Sequence, residues 1–265
     1  MPESILDQIL KTKKEELAHF SLPEPMSPPK PHYSLKDALL RPNHQLGLIA
    51  EVKHASPSKG IFRTKISAKK TAIRYASAGA DAISVLTDRN YFHGSINDLI
   101  EVRQSVQLPI LRKDFIIDER QIEESARIGA DAVLLIAAAL EPTALHELYL
   151  AAKARGLEAL VEVHDAQELA SLLNGFTPEI IGVNNRDLRT FHTNLHVTAA
   201  LAPNIPRNAV LISESGVHRP QDVQFLLEQG THAALVGEAL ICAADPKQKI
   251  CDLFGKGVNA HVSRT

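Results

Sequence analysis

The 265-residue chain has only two cysteines, Cys242 and Cys251, too few for a disulfide framework and without metal-pair spacing. Free thiols are the expected state. Long apolar runs are missing as well: the longest, Ala132 to Leu140, falls far short of the ~20 residues that cross a bilayer. The first twenty residues alternate charged and apolar positions at helical spacing and lack an apolar signal-peptide core, so the expected compartment is the cytoplasm. Basic residues are not in excess, since 29 Lys and Arg face 31 Asp and Glu for a formal net charge of −2. With no Lys/Arg stripe, neither nucleic acid nor membrane is an expected partner, and an anionic ligand must be held locally. The remaining composition, 45% apolar and 23% charged, is that of an ordinary globular protein. Its length suits one large α/β domain or two small ones.

Ile5, Leu6, Ile9, Leu10 and Leu17 form a helical stripe, and Ser4 with Asp7 approximates a capping box, which predicts a helix over residues 5 to about 19. Five prolines then fall between Pro23 and Pro31 and impose a stiff, extended connection. A short second helix follows, with Ser34 as N-cap and Pro42 beyond its end. Residues 1–46 therefore read as a helical extension packing on a main body at 47–265, the whole forming a single domain.

From residue 48 a pattern recurs: apolar strand, polar loop, amphipathic helix, and often a Gly before the next strand. The predicted strands are 48–53, 82–87, 109–113, 132–136, 159–163, 180–184, 210–214 and 233–237. Three junctions share wording, GADAISVL at 79, GADAVLLI at 129 and GTHAALVG at 230, each with a Gly as helix stop. Pro142, Pro220 and Pro246 mark helix starts. Strands separated by single helices must run parallel, and their nearly continuous apolar runs fit burial on both faces. Eight such units predict a (β/α)8 barrel with an N-terminal helical extension; an open doubly wound sheet is the alternative, weakened by the lack of GxGxxG after the first strand.

The first strand, LIAEVKHASPSKG at 48–60, carries Glu51 and Lys53 two residues apart, hence on one side of the backbone. Taken alone it is either an edge strand running into a solvated turn or part of a site. The other C-terminal strand ends add Lys113, Glu162, Asn184, Arg186, Glu214, Ser215 and Gly237. In a barrel these side chains ring the mouth where active sites form. Lysines among glutamates keep their charge and supply acid–base pairs. Near the last two strands, ESGV at 214 and VGEAL at 236 place small residues where backbone N–H groups can approach a phosphate. The lesser alternative is that Gly216 and Gly237 only ease tight turns.

Six ordered strings, EVKHASPSKG at 51, LRKDFIID at 111, ALVEVHD at 159, IGVNNRDL at 181, ISESGV at 212 and LVGEAL at 235, together resemble the indole-3-glycerol phosphate synthase family of tryptophan biosynthesis. YFHGS at 91 and the N-terminal helix extend the resemblance over nearly the whole chain, in the single-function form. The resemblance implies a carboxy-lyase that closes, decarboxylates and dehydrates 1-(2-carboxyphenylamino)-1-deoxyribulose 5-phosphate to indole-3-glycerol phosphate, with no cofactor and no metal. By motif, Lys113 resembles the general acid at the substrate ketone, while Glu162 and Glu51 resemble the carboxylates that handle protons. Lys53 resembles the second lysine, an acid for loss of hydroxide, and Asn184 and Glu214 complete the ring. Arg186 suits the substrate carboxylate. Ser56, Ser215, Gly216, Gly237 and Glu238 match the phosphate positions, the glycines and Glu238 through backbone. Phe92 and Phe115 match the apolar wall, although either can be ordinary core.

The resemblance makes the SPSKG loop a movable part of the substrate site and the N-terminal helix a cover over the mouth. It departs at GEA, 237 to 239, where relatives carry a hydroxyl residue beside the Gly; Arg112 adds little either way. His164, two residues beyond Glu162, can face the mouth or serve the loop. His192 and His196 have the i, i+4 spacing of helical ligands but lack the further ligands zinc needs. The rivals are another phosphate-binding barrel enzyme, such as phosphoribosylanthranilate isomerase, and a phosphometabolite-binding barrel without turnover. The isomerase would want a Cys and an Asp that the first strand does not offer. The expected partner is a small phosphorylated substrate, and the expected assembly a monomer, with a weak homodimer as alternative.

Overall fold

Eight apolar segments pair in parallel, each with its neighbour in sequence, and the last pairs with the first to close a barrel. The computed structural model describes residues 4–27, 31–56, 60–61, 67–187 and 190–255, with Ser56 and Ile61 described by backbone alone. The barrel strands are β1 (Gly47–Val52), β4 (Ala82–Leu86), β5 (Ile110–Lys113), β6 (Ala132–Ile136), β7 (Glu158–Val163), β8 (Ile180–Asn184), β9 (Val210–Glu214) and β10 (Ala233–Val236). A small antiparallel ribbon, β2 (Ala55–Ser56) with β3 (Gly60–Ile61), follows the first strand. Predicted strand ends agree to within a residue; Lys53 and Gly237 fall one position past the strands that carry them.

The outer helices begin and end where Pro and Gly demand it. Helices α6 (Pro142–Ala154), α9 (Pro220–Glu228) and α11 (Pro246–Phe254) each open on proline, whose missing N–H costs nothing there. Helices α3 (Ala68–Ser77) and α5 (Glu119–Arg127) stop before Gly79 and Gly129, which take φ of +95° and +85° to turn the chain inward. The shared wording after these turns reflects a shared task. Asp81 accepts the N–H of Leu48 at 2.8 Å, and Asp131 accepts that of Ile110 at 2.8 Å. In the third copy His232 does the same work, its Nδ1 accepting the N–H of Leu211 at 3.0 Å. Each residue starts one strand and satisfies the first donors of the strand before it.

The two N-terminal helices close the barrel at opposite ends. At the N-terminal ends of the strands, α2 (Leu35–Leu40) buries Leu35 and Leu39 against interior residues such as Ile49, Leu111, Leu160 and Ile212. Its N-terminus is fixed by Glu158, which accepts from Ser34 Oγ at 2.8 Å and from Leu35 and Lys36 N–H. At the other end α1 (Ile5–Ala18) lies on the rim, with Ile9, Lys13 and Leu17 on its buried face. Lys13 is the unexpected member. Its Nζ lies 2.9 Å from Asp88, 3.0 Å from Asp114 and 2.9 Å from Glu16. Burial works against this ammonium, yet Asp114 and Asp88 more than offset it and push its pKa up.

Arg112 is also buried, against the small weight its sequence position suggests. It binds Glu124 at 2.7 Å, Asp114 at 3.2 Å and Thr87 at 3.1 Å, so the strand that delivers Lys113 is anchored from behind. Burial opposes the charge of Asp114, but Arg112 and Lys13 dominate and hold its carboxyl down to about 2.

Candidate active site

The C-terminal strand ends converge on an open cavity of about 1200 Å³, its mouth included. Thirteen of the fourteen predicted site residues line it: Glu51, Lys53, Phe92, Lys113, Phe115, Glu162, Asn184, Arg186, Glu214, Ser215, Gly216, Gly237 and Glu238. Of the fourteenth, Ser56, only the backbone is described, in the ribbon with Gly60. The remainder of the SPSKG expectation falls on residues 57–59, outside the described residues.

At the floor Lys113 Nζ sits between two carboxylates, 2.9 Å from Glu162 Oε2 and 2.7 Å from Glu214 Oε2. Burial alone would discharge this lysine, but Glu162 and Glu214 outweigh it and raise its pKa, so the ammonium form persists. The two carboxyls are pushed apart. Burial disfavours the charge of both; Lys113 and then His164 reverse this for Glu162, which stays below its usual range. For Glu214 burial prevails, with repulsion from Glu162 added, and its pKa reaches about 7. Its Oε1 is buried without a hydrogen-bond partner among the described residues and faces Gly182, where any Cβ would overlap it. Two carboxyls of opposite tendency around one ammonium make an acid–base constellation.

A second pair stands across the floor, with Lys53 Nζ 2.8 Å from Glu51 Oε1. Here too a glycine makes the room: a Cβ on Gly237 would overlap the Glu51 carboxylate. Gly237 therefore serves the ring directly, beside the phosphate contact the sequence suggests. Arg186 and Glu238 face each other at 3.6 Å, so the Glu238 side chain as well as its backbone belongs to the site. Asn184 accepts the Arg186 N–H at 3.1 Å, tying the two positions together.

The walls are apolar. Phe92 and Phe115 stand with ring centroids 6.2 Å apart, and Ile5, Leu6 and Ile9 of α1 close one side. Both aromatic positions hang on the Lys13 cluster: Asp88 Oδ1 accepts from the N–H of Phe92 at 3.2 Å, and Asp114 Oδ1 from that of Phe115 at 2.8 Å. Ser215 and Gly216 turn the chain after β9 with φ of +65° and +98°, a conformation costly for the serine and therefore set by its surroundings.

The family model described as indole-3-glycerol phosphate synthase matches residues 6–253. The indole-3-glycerol phosphate synthase of Geobacillus thermodenitrificans is 53% identical over 95% of this chain and 97% of its own. The chain belongs to the indole-3-glycerol phosphate synthase family. Two other synthases of that name agree: that of Shouchella clausii is 51% identical over 95% of this chain and 98% of its own, and that of Priestia megaterium 49% over 97% and 100%. Solved structures add the fold alone. An N-acetylmannosamine-6-phosphate 2-epimerase from Clostridium perfringens superposes with a TM-score of 0.60 at 16% identity, over 85% of this chain and 97% of that one. A 3-hexulose-6-phosphate synthase from Salmonella typhimurium gives 0.62 at 14%, over 78% and 96%.

In this member of the synthase family several contributors escape the sequence reading. Asn185, beside the predicted Asn184, is buried and donates to Ser213 Oγ at 2.8 Å and to the Glu214 and Ser215 carbonyls at 2.9 and 3.1 Å, locking the ends of β8 and β9 together. An Asn pair closing a strand was the only available sign. The reverse holds for His192 and His196. His196 opens α8 (His196–Leu201) while His192 precedes the helix, so their spacing is not that of two residues on one helical face. No helix among the described residues is long and apolar enough to cross a membrane.

Proposed function

We propose that the chain is an indole-3-glycerol phosphate synthase acting on 1-(2-carboxyphenylamino)-1-deoxyribulose 5-phosphate through the thirteen cavity residues and Ser56. The observation that carries the reading is the buried, charged Lys113 held between Glu162 and Glu214 beneath an aromatic wall. When the substrate's ring carbon attacks its ketone, negative charge develops on the carbonyl oxygen. Lys113 donates a proton there, an effect worth ~10²–10⁴-fold in rate. Carbon dioxide then leaves with its bonding electrons returned to the ring system. Loss of the hydroxyl as water takes a proton from Lys53, while Glu162 or Glu51 removes the proton whose departure forms the indole double bond. Asn184 and Glu214 hold this ring of groups in place.

Arg186 pairs with the substrate carboxylate, for which its planar fork is suited. The phosphate lies toward Ser215, Gly216, Gly237 and Glu238, with Ser56 closing from the ribbon, and the aryl ring lies against the wall that Phe92 and Phe115 form. Residues 1–46 and the barrel act as one unit, since α1 supplies part of the wall. A monomer in the cytoplasm belongs to this reading, supported by a cavity lined by residues of a single chain.

Purified protein mixed with the substrate should give rising indole fluorescence; saturable binding without product would instead favour a binding protein. In Lys113→Ala, kcat should fall by ~10²–10⁴ with substrate affinity mostly retained. Near-normal kcat in that variant removes Lys113 from the acid role.

A further inference from the structure

Glu162 is held from behind as well as from the cavity. Its Oε2 meets Lys113 at 2.9 Å, while Oε1 faces Nε2 of His164 at 3.3 Å. His164 in turn meets Glu168 Oε2 through Nδ1 at 3.1 Å, and the same oxygen accepts the His164 backbone N–H at 2.8 Å. The imidazole is nearly enclosed, its side chain 12% exposed. Local sequence dictates this line. Alternate residues of an extended chain share a side, so 162 and 164 point the same way. Asp165 caps α7 (Ala166–Gly175), which puts Glu168 in the first turn, where it reaches back to residue 164.

We propose that His164 is a positioning residue for Glu162: its imidazolium, braced by Glu168, fixes the catalytic carboxylate's orientation and keeps it in the base form. This rests on Glu162 handling a proton in the proposed reaction. The contact to Glu162 is a charge contact without hydrogen-bond alignment, whereas that to Glu168 is a hydrogen bond. Burial works against the ring's charge, but Glu162 and Glu168 outweigh it and carry its pKa to about 10. Among the described residues, Glu162 of β7 and Glu168 of α7 are the charged groups that act on the ring. The turn Ala137–Ala139 packed against both elements has none, and Lys113 and Glu214 act on His164 only through Glu162.

The test is kcat against pH, from about pH 3 to about pH 9, for the wild type, His164→Gln and Glu168→Gln, read on the lowest acid limb because Glu162 ionises below the usual carboxylate range and Glu214 near 7. Glutamine fills the site without charge, so the Glu162 carboxyl becomes more basic. The acid limb of kcat should therefore move up by about one pH unit or more, with KM little changed. Glu168→Gln should move it the same way by less. A purely structural role would lower the melting temperature and leave the limb in place. A limb within about 0.2 unit of wild type in His164→Gln overturns the proposal. If that variant does not fold, an unmoved limb in Glu168→Gln overturns it instead. A wild type that forms no product refutes the assigned reaction, and this inference falls with it; an active wild type with unmoved limbs refutes only the role of His164.

Discussion

Replacing Lys13 by methionine keeps the length and apolar stem of the side chain and removes the charge that joins three elements. Asp88 Oδ2 and Asp114 Oδ1 then lose a cation from a site where the lysine side chain is only 4% exposed. Asp114 retains Arg112 and Thr87, whereas Asp88 Oδ2 has no hydrogen bond to fall back on among the described residues. Breaking a buried ion pair from one side costs ~3–5 kcal/mol, and the partners left to Asp114 favour the lower end, about 3 kcal/mol. For a domain of this size that corresponds to a fall in Tm of roughly 6–12 °C. Because Asp88 and Asp114 also hold the backbone at Phe92 and Phe115, the aromatic wall should loosen and KM should rise by about tenfold, or ~1.4 kcal/mol. Urea and thermal melts with steady-state indole fluorescence measure both. Adding Asp88→Asn to Lys13→Met removes the orphaned charge, so the double variant should recover ~1–3 kcal/mol over additivity. A loss below ~1 kcal/mol for Lys13→Met would mean that water reaches the cluster and that α1 is not pinned through it. Lost stability with unchanged KM would keep the pin but separate it from the wall.

Two further outcomes are expected. Gly182→Ala puts a methyl where Glu214 Oε1 lies, so kcat should drop by ~10² from misplacement of the carboxyl, with an overpacking cost of ~1–3 kcal/mol; unchanged kcat in steady-state assays refutes this use of the glycine. Glu214 has a folded pKa of about 7, above the ordinary glutamate value of 4.5, so the folded state keeps the proton longer and stability falls as pH rises from about 4.5 through 7. In urea melts the wild type should therefore lose up to ~3 kcal/mol relative to Glu214→Gln between about pH 5 and pH 8, and a flat or opposite difference shows that Glu214 ionises normally.

The barrel was legible because its physics is local. A parallel strand covered on both faces needs an unbroken apolar run, and helix ends need Pro or Gly, so strand limits could be read closely from residues 48 to 237 alone. The convergence of Lys113, Glu162 and Glu214 followed from strand order and direction. What stayed hidden depends on distant partners. Lys13 occupies the buried stripe between Ile9 and Leu17, which was a signal, but its partners Asp88 and Asp114 lie in loops that only the fold brings near. The repeated Asp81 and Asp131 were visible as wording, yet their role required the preceding strand to arrive beside them. Gly182 carried no sign in sequence, since its meaning is the room it leaves for a carboxylate on the next strand.

The charges of the floor explain why one of those carboxyls must differ from the others. Among the described residues Glu51, Glu162 and Glu214 face two ammoniums, Lys53 and Lys113, while Arg186 and Glu238 face each other. Fully ionised, the ring would hold an unbalanced negative charge in a poorly solvated place, which is costly. Lys113 favours charge on both Glu162 and Glu214, so the proton goes to Glu214 because His164 adds a second cation beside Glu162, whereas Glu214 Oε1 points at Gly182 with no donor among the described residues. On the proposed binding mode, a substrate bearing a carboxylate and a phosphate adds negative charge above the same floor and raises the affinity of Glu214 for that proton further. Ligand binding and protonation of Glu214 are thereby linked with positive sign, and Gly182 supplies the space in which the protonated carboxyl sits.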